Sequence, residues 1–380
     1  MAVGIICEYN PFHNGHMYHI NKIKEMYPNE EIILVMSSTF LQRGETSIIN
    51  KWDKTKIALE AGVNLVIELP FVFSSQSADI FAKGSIDILD SLNVDKLVFG
   101  SESNNIEVLK EMASIQINNI KFNNLVKDFI KEGINYPSAI SKAIKILTNN
   151  DIKSPNDILG ICYIKEILKK KSLIKPICIQ RTNEFHSKNI DSNIISATAC
   201  RELIKNKSNI NSYVPNFSEK YYKDYYFIDD YFEFLKYKIL SSNINIYQTV
   251  DEGIENRIKK SIINSNNLEE LIAKIKSKRF THNKIKRMLV HILCGFTKDE
   301  ANELKKSEYI RVLGFDDKGR KFLNKNKKNS ILPIITGYSN IKSKILDIEL
   351  RVTNIYYMNN KNDKKELMEM EYKKTPIINK

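Results

Sequence analysis

The stretch that decides the fold is MAVGIICEYNPFHNGHMYHI, residues 1–20. Its opening run, Val3–Cys7, is short and apolar, which is typical of a buried parallel strand. The run gives way at Asn10, because a residue that precedes proline is disfavoured in helical geometry. Met17 then begins a series of apolar residues at three-residue spacing, which predicts a helix that starts near Gly15.

Two histidines, His13 and His16, lie where this loop becomes the helix, with Gly15 between them. The free N–H groups and the positive end of the dipole at a helix N-terminus attract phosphate. Two imidazoles there can donate hydrogen bonds to a phosphoryl group as charge builds up on it. The glycine lets a nucleotide approach the backbone. A capping histidine beside an unrelated one is the alternative, but the H-x-G-H spacing after an opening strand favours a phosphate site.

Strands and helices alternate along the first half of the chain. Short apolar runs predict strands at residues 31–36, 65–69, 96–99 and 175–181, and the segments between them predict helices. Such alternation indicates an α/β fold with a doubly wound parallel sheet. Ligands of these sheets bind at the carboxyl ends of the strands.

Polar residues and a glycine follow the predicted strands at those ends. The loop after the second strand contains Ser38, Gln42 and Arg43. Arg43 can anchor a carboxylate or a phosphate, and Gln42 can orient it. Gly100 follows the fourth strand, and Arg181 ends the fifth. A surface loop with an unrelated arginine, and an ordinary turn glycine, remain the alternatives.

A polar, Asn-rich segment at residues 206–217 separates two parts of different charge. We take it as the boundary between domains at residues 1–205 and 206–380. The first part carries 24 Lys and Arg against 23 Asp and Glu, and the second carries 34 against 22. The second part has a mostly helical pattern. Its positive charge indicates a polyanionic partner, with lysine-rich solubility as the alternative.

Most of this excess charge falls in dense basic clusters, which we expect to contact the phosphate backbone of a nucleic acid. The first cluster consists of Lys274, Lys276, Lys278, Arg279, Lys284, Lys286 and Arg287. The second begins with Lys318, Arg320 and Lys321. Tyr and Phe side chains are interspersed and could stack on bases, although core packing is the commoner role of an aromatic residue.

The remaining composition narrows the class of protein. No run of about eighteen apolar residues is present and the first residues enter the predicted fold at once, so we expect neither a membrane span nor a signal peptide. The five cysteines form no C-x-x-C pair, so we expect no zinc site or disulfide framework, and a reducing cytoplasm is the expected location. No acidic cluster indicates a protein-built metal site. No feature indicates an obligate protein partner.

A second motif, ISATACR at residues 195–201, resembles the I-S-x-T-x-x-R segment of nucleotidylyltransferases, whose first motif is (H/T)-x-G-H after an opening strand. Alone it would be an ordinary helix cap with a surface arginine. The two motifs occur in the expected order about 180 residues apart. The resemblance implies the Rossmann-like, doubly wound sheet of that superfamily and ATP chemistry at the α-phosphate.

Longer runs are similar to a narrower family, the bacterial tRNA(Met) cytidine acetate ligases. These runs are CEYNPFHNGH at 7–16, FLQRGE at 40–45, LVIELPF at 65–71, FGSE at 99–102 and NDILG at 156–160. The resemblance covers the first part of the chain and, more loosely, the second part as far as residues 311–315. One departure is Cys200, where an aliphatic residue is expected before the arginine.

This resemblance implies a two-step reaction. Acetate attacks the α-phosphate of ATP to give acetyl-adenylate and pyrophosphate, and the exocyclic amino group of the wobble cytidine of elongator tRNA(Met) then accepts the acetyl group. His13 and His16 would stabilise the reacting α-phosphate and the departing pyrophosphate. Ser196, Thr198 and Arg201 would hold the β- and γ-phosphates.

The remaining roles follow from the same resemblance. Ser38, Gln42 and Arg43 would lie on the acetate or cytidine side, the basic clusters would bind tRNA, and Mg²⁺ is expected with ATP. The full ATP-binding set would be Cys7, Glu8, Tyr9, Asn10, Pro11, Phe12, His13, Asn14, Gly15, His16, Gly100, Asn156, Arg181, Ser196, Thr198 and Arg201.

Two other functions stay open at this stage. One is an adenylyltransferase that acts on a small phosphorylated coenzyme precursor, with the second part of the chain serving oligomerisation. The other is a non-catalytic RNA-binding protein built on a nucleotide-binding fold. The presence of both histidines with Ser196, Thr198 and Arg201 argues against the second of these.

Overall fold

The computed structural model describes residues 1–150, 154–181, 194–360 and 364–379. Its strands are β1 Ala2–Cys7, β2 Glu31–Ser37, β3 Leu65–Leu69, β4 Lys96–Ser101, β5 Lys175–Gln180, β6 Ile310–Phe315, β7 Ile334–Ile335 and β8 Ile377–Ile378. The helices of the first part are α1 Asn14–Met26, α2 Lys51–Glu60, α3 Phe71–Ser74, α4 Ala78–Ser91, α5 Ile106–Asn118, α6 Ile120–Lys131, α7 Tyr136–Thr148, α8 Pro155–Lys170 and α9 Ala197–Lys205. Those of the second part are α10 Phe232–Ser241, α11 Ile254–Ile263, α12 Leu268–Ile275, α13 His282–Cys294, α14 Lys298–Glu303, α15 Asp317–Asn326, α16 Lys344–Tyr357 and α17 Lys364–Lys373.

One sheet runs through the described part of the chain, in the order β5-β4-β1-β2-β3-β6-β7, with β8 paired to β6. Strands β1 to β5 are parallel, so their carboxyl ends share one edge. From β1 the chain proceeds to β2 and β3 on one side and to β4 and β5 on the other. The predicted doubly wound α/β fold is therefore confirmed. The crevice at such a reversal of strand order is where ligands of these sheets bind.

The central parallel strands β2 and β3 are buried on both faces. Along β2, Ile33 and Val35 belong to one apolar core, which includes Leu109 of α5, whereas Leu34 and Met36 belong to the core that includes residues of α1 and α2. Burial on both faces explains why this strand is a continuous apolar run in the sequence rather than an alternating one.

Strand β6 comes from the second part of the chain and pairs antiparallel with β3. We predicted a mostly helical second part and identified no strand in it, because a short apolar run such as residues 309–315 does not separate a strand from a buried helix by periodicity. Helices still dominate this part of the chain. The proposed boundary after residue 205 thus divides two parts that share one sheet, and it stays a prediction.

A buried ionic cluster joins the two parts at this edge of the sheet. Its members are each at most 1% exposed, and they are Lys51, Glu68, Arg311, Glu349 and Glu371. Lys51 Nζ lies 2.6 Å from Glu68 Oε1 and 2.8 Å from Glu371 Oε1, and Arg311 also contacts both carboxylates. Because a buried charge without a partner is costly, α2 and β3 depend on β6 and α17 for their stability.

Candidate active site

The two histidines of the opening motif lie together at the N-terminus of α1. His13 is the N-cap residue, and its Nδ1 accepts a hydrogen bond from the N–H of Gly15 at 3.0 Å. The N–H of His13 donates to Nδ1 of His16 at 3.2 Å. The two ring centroids are 3.9 Å apart, with 33° between the planes. The H-x-G-H spacing therefore forms a reciprocal capping box whose two side chains are imidazoles.

Both imidazoles are neutral and carry their proton on Nε2. Each Nδ1 accepts a backbone N–H, which leaves Nε2 as the protonated nitrogen. Burial, followed by the charges of Arg181 and Arg201, lowers the pKa of His13 to about 3. Burial, followed by the neighbouring His13 and Arg181, lowers the pKa of His16 well below its usual range. Two neutral donors at a helix N-terminus suit a phosphoryl group that gains negative charge.

Gly15 is required by the histidine beside it. A Cβ at this position would lie 2.8 Å from Cε1 and 3.0 Å from Nδ1 of the His13 ring. It would also lie 3.5 Å from Ile194 Cγ2, just before the second motif. The sequence predicts that Gly15 lets a nucleotide approach the backbone closely, and the imidazole of His13 is a second reason for a glycine here.

Arg201 joins the second motif to the first. Its Nη1 donates to the carbonyl oxygen of Asn10 at 2.7 Å, and its Nη2 donates to Oγ1 of Thr198 at 3.1 Å. Ser196 is the N-cap of α9, where its Oγ accepts the N–H of Ala199 at 3.2 Å. The two motifs, distant in sequence, are thus in direct contact.

Arg181 and Gly100 lie side by side at the carboxyl ends of β5 and β4. A Cβ on Gly100 would lie 3.1 Å from Cγ of Arg181, and the N–H of Arg181 donates to the carbonyl of Ser101 at 3.0 Å. The positive charge of Arg181 contributes to the lowered pKa values of His13 and His16. Arg181 therefore lies at the same edge of the sheet as the imidazoles.

Asn156 lies in the first turn of α8 and contacts the loop after β4. Its Nδ2 donates to Oε1 of Glu102 at 2.5 Å, and the N–H of Asp157 donates to Oε2 of Glu102 at 3.2 Å. Asp157 in turn accepts the N–H of Ser103 at 3.0 Å. A nucleotide that binds Asn156 must therefore compete with Glu102 for its amide.

The other residues of the opening motif point mainly into the protein. The side chain of Asn10 bonds to backbone groups of residues 46 and 48, and Tyr9 packs edge-on against Phe12. Pro11 is buried, and the side-chain amide of Asn14 donates to the carbonyl of residue 212 at 3.1 Å. Burial raises the pKa of the Cys7 thiol to about 12, so it is not a thiolate at neutral pH. This segment offers a ligand its backbone and its imidazoles.

The residues predicted for the acetate or cytidine side take up different positions. Ser38 is buried, and within the described part of the chain its Oγ has no hydrogen-bond partner. The N–H of Gln42 donates to Oε1 of Glu8 at 2.7 Å, whereas Arg43 is exposed. All three follow β2 at the edge that carries the histidines, and their assignment stays a prediction.

The comparisons with known proteins agree with this geometry. The sequence model of the HIGH Nucleotidyl Transferase family matches residues 1–371. A tRNA(Met) cytidine acetate ligase of Clostridium novyi (strain NT) is 40% identical over 396 residues, which cover 98% of each chain. The chain belongs to this ligase family. The resemblance seen in the sequence is thereby confirmed.

Other members of the tRNA(Met) cytidine acetate ligase family are similar over comparable lengths. The ligase of Geobacillus sp. (strain WCH70) is 40% identical, with 90% of each chain covered. The crystal structure of Thermotoga maritima TmcAL bound with alpha-thio ATP has a TM-score of 0.91 and 30% identity, and covers 100% of this chain and 99% of that one. The family's fold therefore extends over both parts of this chain.

In this family member, two ionisable residues that contact the loops and the arginine of the site were not identified from the sequence. The first is Lys54 of α2, whose Nζ donates to the carbonyls of Glu8 at 3.0 Å, Ser37 at 2.6 Å and Ser38 at 3.0 Å. Three acceptors match the three N–H groups of the ammonium form, and burial lowers the pKa of Lys54 to about 7, so this form is partly populated near neutral pH. Lys54 therefore ties together the carboxyl ends of β1 and β2. One sequence signal was available. Lys54 lies on the same helical face as Ala58, which is an unusual position for a lysine, since lysines on helices are normally solvated.

The second is Glu45, in the loop that follows β2. Its Oε2 lies 2.9 Å from Nη2 of Arg201, and its Oε1 lies 3.1 Å from Nζ of Lys286 on α13. No sequence pattern relates these three residues, because they are far apart in the chain. Arg201 lies 156 positions after Glu45, and Lys286 lies 85 positions after Arg201. Only folding brings them together.

The first basic cluster consists of exposed or half-buried residues and of two residues that contact the loop after β2. Lys274, Lys276, Lys278 and Arg279 are exposed, and Lys284 is half-buried. Lys286 pairs with Glu45, and Arg287 Nη1 donates to the carbonyl of Gln42 at 3.0 Å. Burial lowers the pKa of Arg287 to about 10. The last two residues of the cluster thus hold the loop of the site, and the tRNA assignment of the whole cluster stays a prediction.

The second basic cluster lies at the opposite edge of the sheet. Lys318, Arg320 and Lys321 are exposed on α15, whose Gly319 packs against the carbonyl of Asn64, just before β3. This is the amino end of the parallel strands, whereas the histidines lie at the carboxyl ends. A seven-residue strand such as β2 separates the two edges by about 20 Å.

Three further features concern the part of the chain that the structure describes. There, no group of three or more His, Cys, Asp or Glu side chains could hold a metal ion. All five cysteines are free thiols. Across the same described residues, no helix combines the length and the apolar character that crossing a membrane requires.

Proposed function

We propose that this chain is an ATP-dependent tRNA cytidine acetate ligase that acetylates the exocyclic amino group of the wobble cytidine of elongator tRNA(Met). The observation that carries the proposal is the 2.7 Å hydrogen bond from Arg201 to the carbonyl of Asn10, because it assembles both motifs into one site. Family membership supports the choice of substrates. We place the reaction in the cytoplasm.

In the first step, an acetate oxygen attacks the α-phosphorus of ATP. The bond from that phosphorus to the bridging oxygen of the β-phosphate breaks, and pyrophosphate leaves with the electron pair. The Nε2–H groups of His13 and His16 donate to the oxygens that gain charge, and Arg181 and Arg201 supply fixed positive charge. Acetate is already an anion, so this step requires no proton transfer from a histidine.

In the second step, the amino nitrogen of the cytidine attacks the carbonyl carbon of acetyl-adenylate. The carbon–oxygen bond to AMP breaks, AMP leaves with the electron pair of that bond, and the nitrogen releases one proton to water. We assign Ser38, Gln42 and Arg43 to the side of the site that receives acetate and the cytidine. The hydroxyl of Ser38 is buried and without a partner in the described residues, as are those of Ser37 and Thr39, and it is one donor available there.

Mg²⁺ enters this proposal as part of the substrate. The described residues contain no cluster of carboxylates and histidines of the kind that builds a metal site. Mg²⁺ characteristically binds phosphate oxygens together with few protein ligands. It would accompany the triphosphate and neutralise part of its charge.

The test combines an assay of pyrophosphate release with mass-spectrometric analysis of the tRNA nucleosides. We expect release that depends on acetate, and acetylcytidine in elongator tRNA(Met), from the purified chain. Release that depends instead on phosphopantetheine or nicotinate mononucleotide would identify a coenzyme adenylyltransferase. Acetyl transfer that persists unchanged in a His16→Ala variant would contradict the assigned site.

A further inference from the structure

Glu45 divides its charge between two cations that belong to different parts of the chain. Its carboxylate is 19% exposed, and each oxygen has its own partner. Oε2 pairs with Arg201 of the second motif at 2.9 Å, and Oε1 pairs with Lys286 of α13 at 3.1 Å. In the proposed function, Arg201 supplies positive charge to the triphosphate, and the sequence assigns Lys286 to the basic cluster that is predicted to contact tRNA. Each cation therefore has a phosphate as a competing partner.

The loop that carries Glu45 is fixed to the backbone of α13, so it does not follow a movement of either cationic side chain. Gly44 has a φ of +71°, and a Cβ there would lie 2.3 Å from the backbone nitrogen of Arg287. The carbonyl of Gln42 accepts a hydrogen bond from Arg287 at 3.0 Å, and its N–H donates to Glu8 at 2.7 Å. The loop is thus held on both sides, so that Glu45 stays between the two cations.

We propose that Glu45 makes ATP binding and tRNA binding mutually antagonistic, an inference that rests on the proposed function. When a triphosphate draws Arg201 away, Glu45 retains Lys286. When a tRNA phosphate draws Lys286 away, Glu45 retains Arg201. When both anions are bound, a largely buried carboxylate has lost both partners and faces two polyanions, which is the costly state. Linkage requires each ligand to weaken the other by the same factor.

This coupling orders the two steps of the reaction. While the triphosphate holds Arg201, the Lys286 contact is less available to tRNA. When pyrophosphate leaves, Arg201 returns to Glu45, and Lys286 can exchange Glu45 for a phosphate of the tRNA. The acceptor then binds most tightly after the adenylate has formed.

The experiment measures the affinity of fluorescently labelled elongator tRNA(Met) by anisotropy, with and without α,β-methylene-ATP and in the absence of acetate. For the unmodified chain we expect the analogue to weaken tRNA binding about fivefold or more, the lower end of typical couplings between sites. In Glu45→Gln we expect the ratio of the two dissociation constants to fall to near one, because a neutral amide between the sites has no charge to lose.

Two further variants keep the test decisive. Lys286→Met removes the other partner, so it should also abolish the coupling while it weakens tRNA binding itself. Glu25→Gln removes an exposed carboxylate that pairs with Lys22 on α1, away from the junction, and should retain the full coupling. Thermal melts establish that each variant is folded.

The outcomes separate this inference from the proposed function. An equal coupling in the unmodified chain and in Glu45→Gln would overturn the role of Glu45 and leave the ligase function intact. If the analogue does not raise the dissociation constant of tRNA for the unmodified chain, the proposed antagonism is also overturned, and the ligase function again stays intact. Absence of both tRNA binding and acetate-dependent pyrophosphate release would instead overturn the proposed function, and the inference with it.

Discussion

At the scale of the residue, His13 and His16 owe their protonation state to the backbone around them. The N–H groups of Gly15 and His13 occupy their Nδ1 atoms, so both Nε2 atoms are donors before any ligand arrives. Burial keeps the rings neutral. A site arranged in this way need not reorganise during the reaction, which is the condition under which hydrogen bonds stabilise a transition state most strongly.

We expect His16→Ala to lower kcat for acetate-dependent pyrophosphate release by about 10²- to 10³-fold, the effect typical of removing one such donor. The imidazole also accepts the N–H of His13, so part of the loss comes from a less ordered cap. Steady-state kinetics with varied ATP measure the effect. His282→Ala, on the exposed start of α13, is the matched control and should retain full adenylation.

The lowered pKa values also predict the pH dependence. Both histidines have pKa values far below 6.5, so they bind a proton only under strongly acidic conditions and stay neutral from pH 6 to 8. We therefore expect kcat/KM for ATP to show no inflection near pH 6.5 that arises from them. A pH profile with such an inflection, absent in His13→Gln, would contradict the neutral assignment.

Lys54 supports a prediction about stability. Lys54→Met keeps the length of the side chain but leaves the buried carbonyls of Glu8, Ser37 and Ser38 without their shared donor. Each unsatisfied buried group costs about 1–3 kcal/mol, so we expect the free energy of unfolding to fall by about 3 kcal/mol or more. Denaturant titration checks this. Lys56→Met, on the partly exposed face of the same helix, should change it by less than about 1 kcal/mol.

At the scale of the element, the loop after β2 links the nucleotide site to helix α13. Gly44 makes this contact possible, because its positive φ and missing Cβ let the loop backbone lie directly on that of residues 286 and 287. The loop and the helix thus behave as one unit. Movement of α13 would shift Glu45, and with it the partner of Arg201.

Gly44→Ala tests this contact. Both the φ of +71° and the 2.3 Å approach to Arg287 oppose a methyl group, so we expect a loss of about 2–4 kcal/mol in the free energy of unfolding and weaker tRNA binding. Gly253→Ala is a matched control, since its φ is +77° but nothing lies within 4 Å of its Cβ position. That variant should lose only about 1 kcal/mol. Equal losses in the two variants would show that loop docking adds nothing.

At the scale of the whole molecule, the buried ionic cluster makes the two parts of the chain depend on each other. Two cations face three carboxylates, Glu68, Glu349 and Glu371. Burial, followed by repulsion from Glu68, raises the pKa of Glu349 to about 7. When Glu349 is protonated, the two cations face two ionised carboxylates, and the positive and negative charges of the cluster are equal.

This raised pKa predicts a pH-dependent stability. A carboxyl group whose folded-state pKa exceeds its ordinary value of 4.5 contributes stability below about pH 4.5, and that contribution is lost as the pH rises through 7. Relative to the unmodified chain, Glu349→Gln should gain up to about 3 kcal/mol between pH 5 and 8, because its amide has no proton to lose. Urea titrations across this range give the difference. A difference that is constant with pH would mean that Glu349 is ionised throughout.

Much of the site follows from local patterns, and the rest does not. The histidine pair, Gly15 and the cap at Ser196 depend on neighbours within a few residues, so the sequence reveals them. Lys54 and Glu45 were missed because their partners lie far along the chain. Strand β6 was missed because its six residues carry no period that distinguishes a strand from a helix.

The sequence by itself determined the parallel sheet, the placement of the imidazoles at the start of α1, and the family. These depend on short-range periodicity, capping and motif spacing. Only the tertiary structure decided that β6 completes the sheet, that Glu45 lies between Arg201 and Lys286, and that the two basic clusters occupy opposite edges. Those relations are contacts between distant residues, and they exist only once burial of the shared core has brought the segments together.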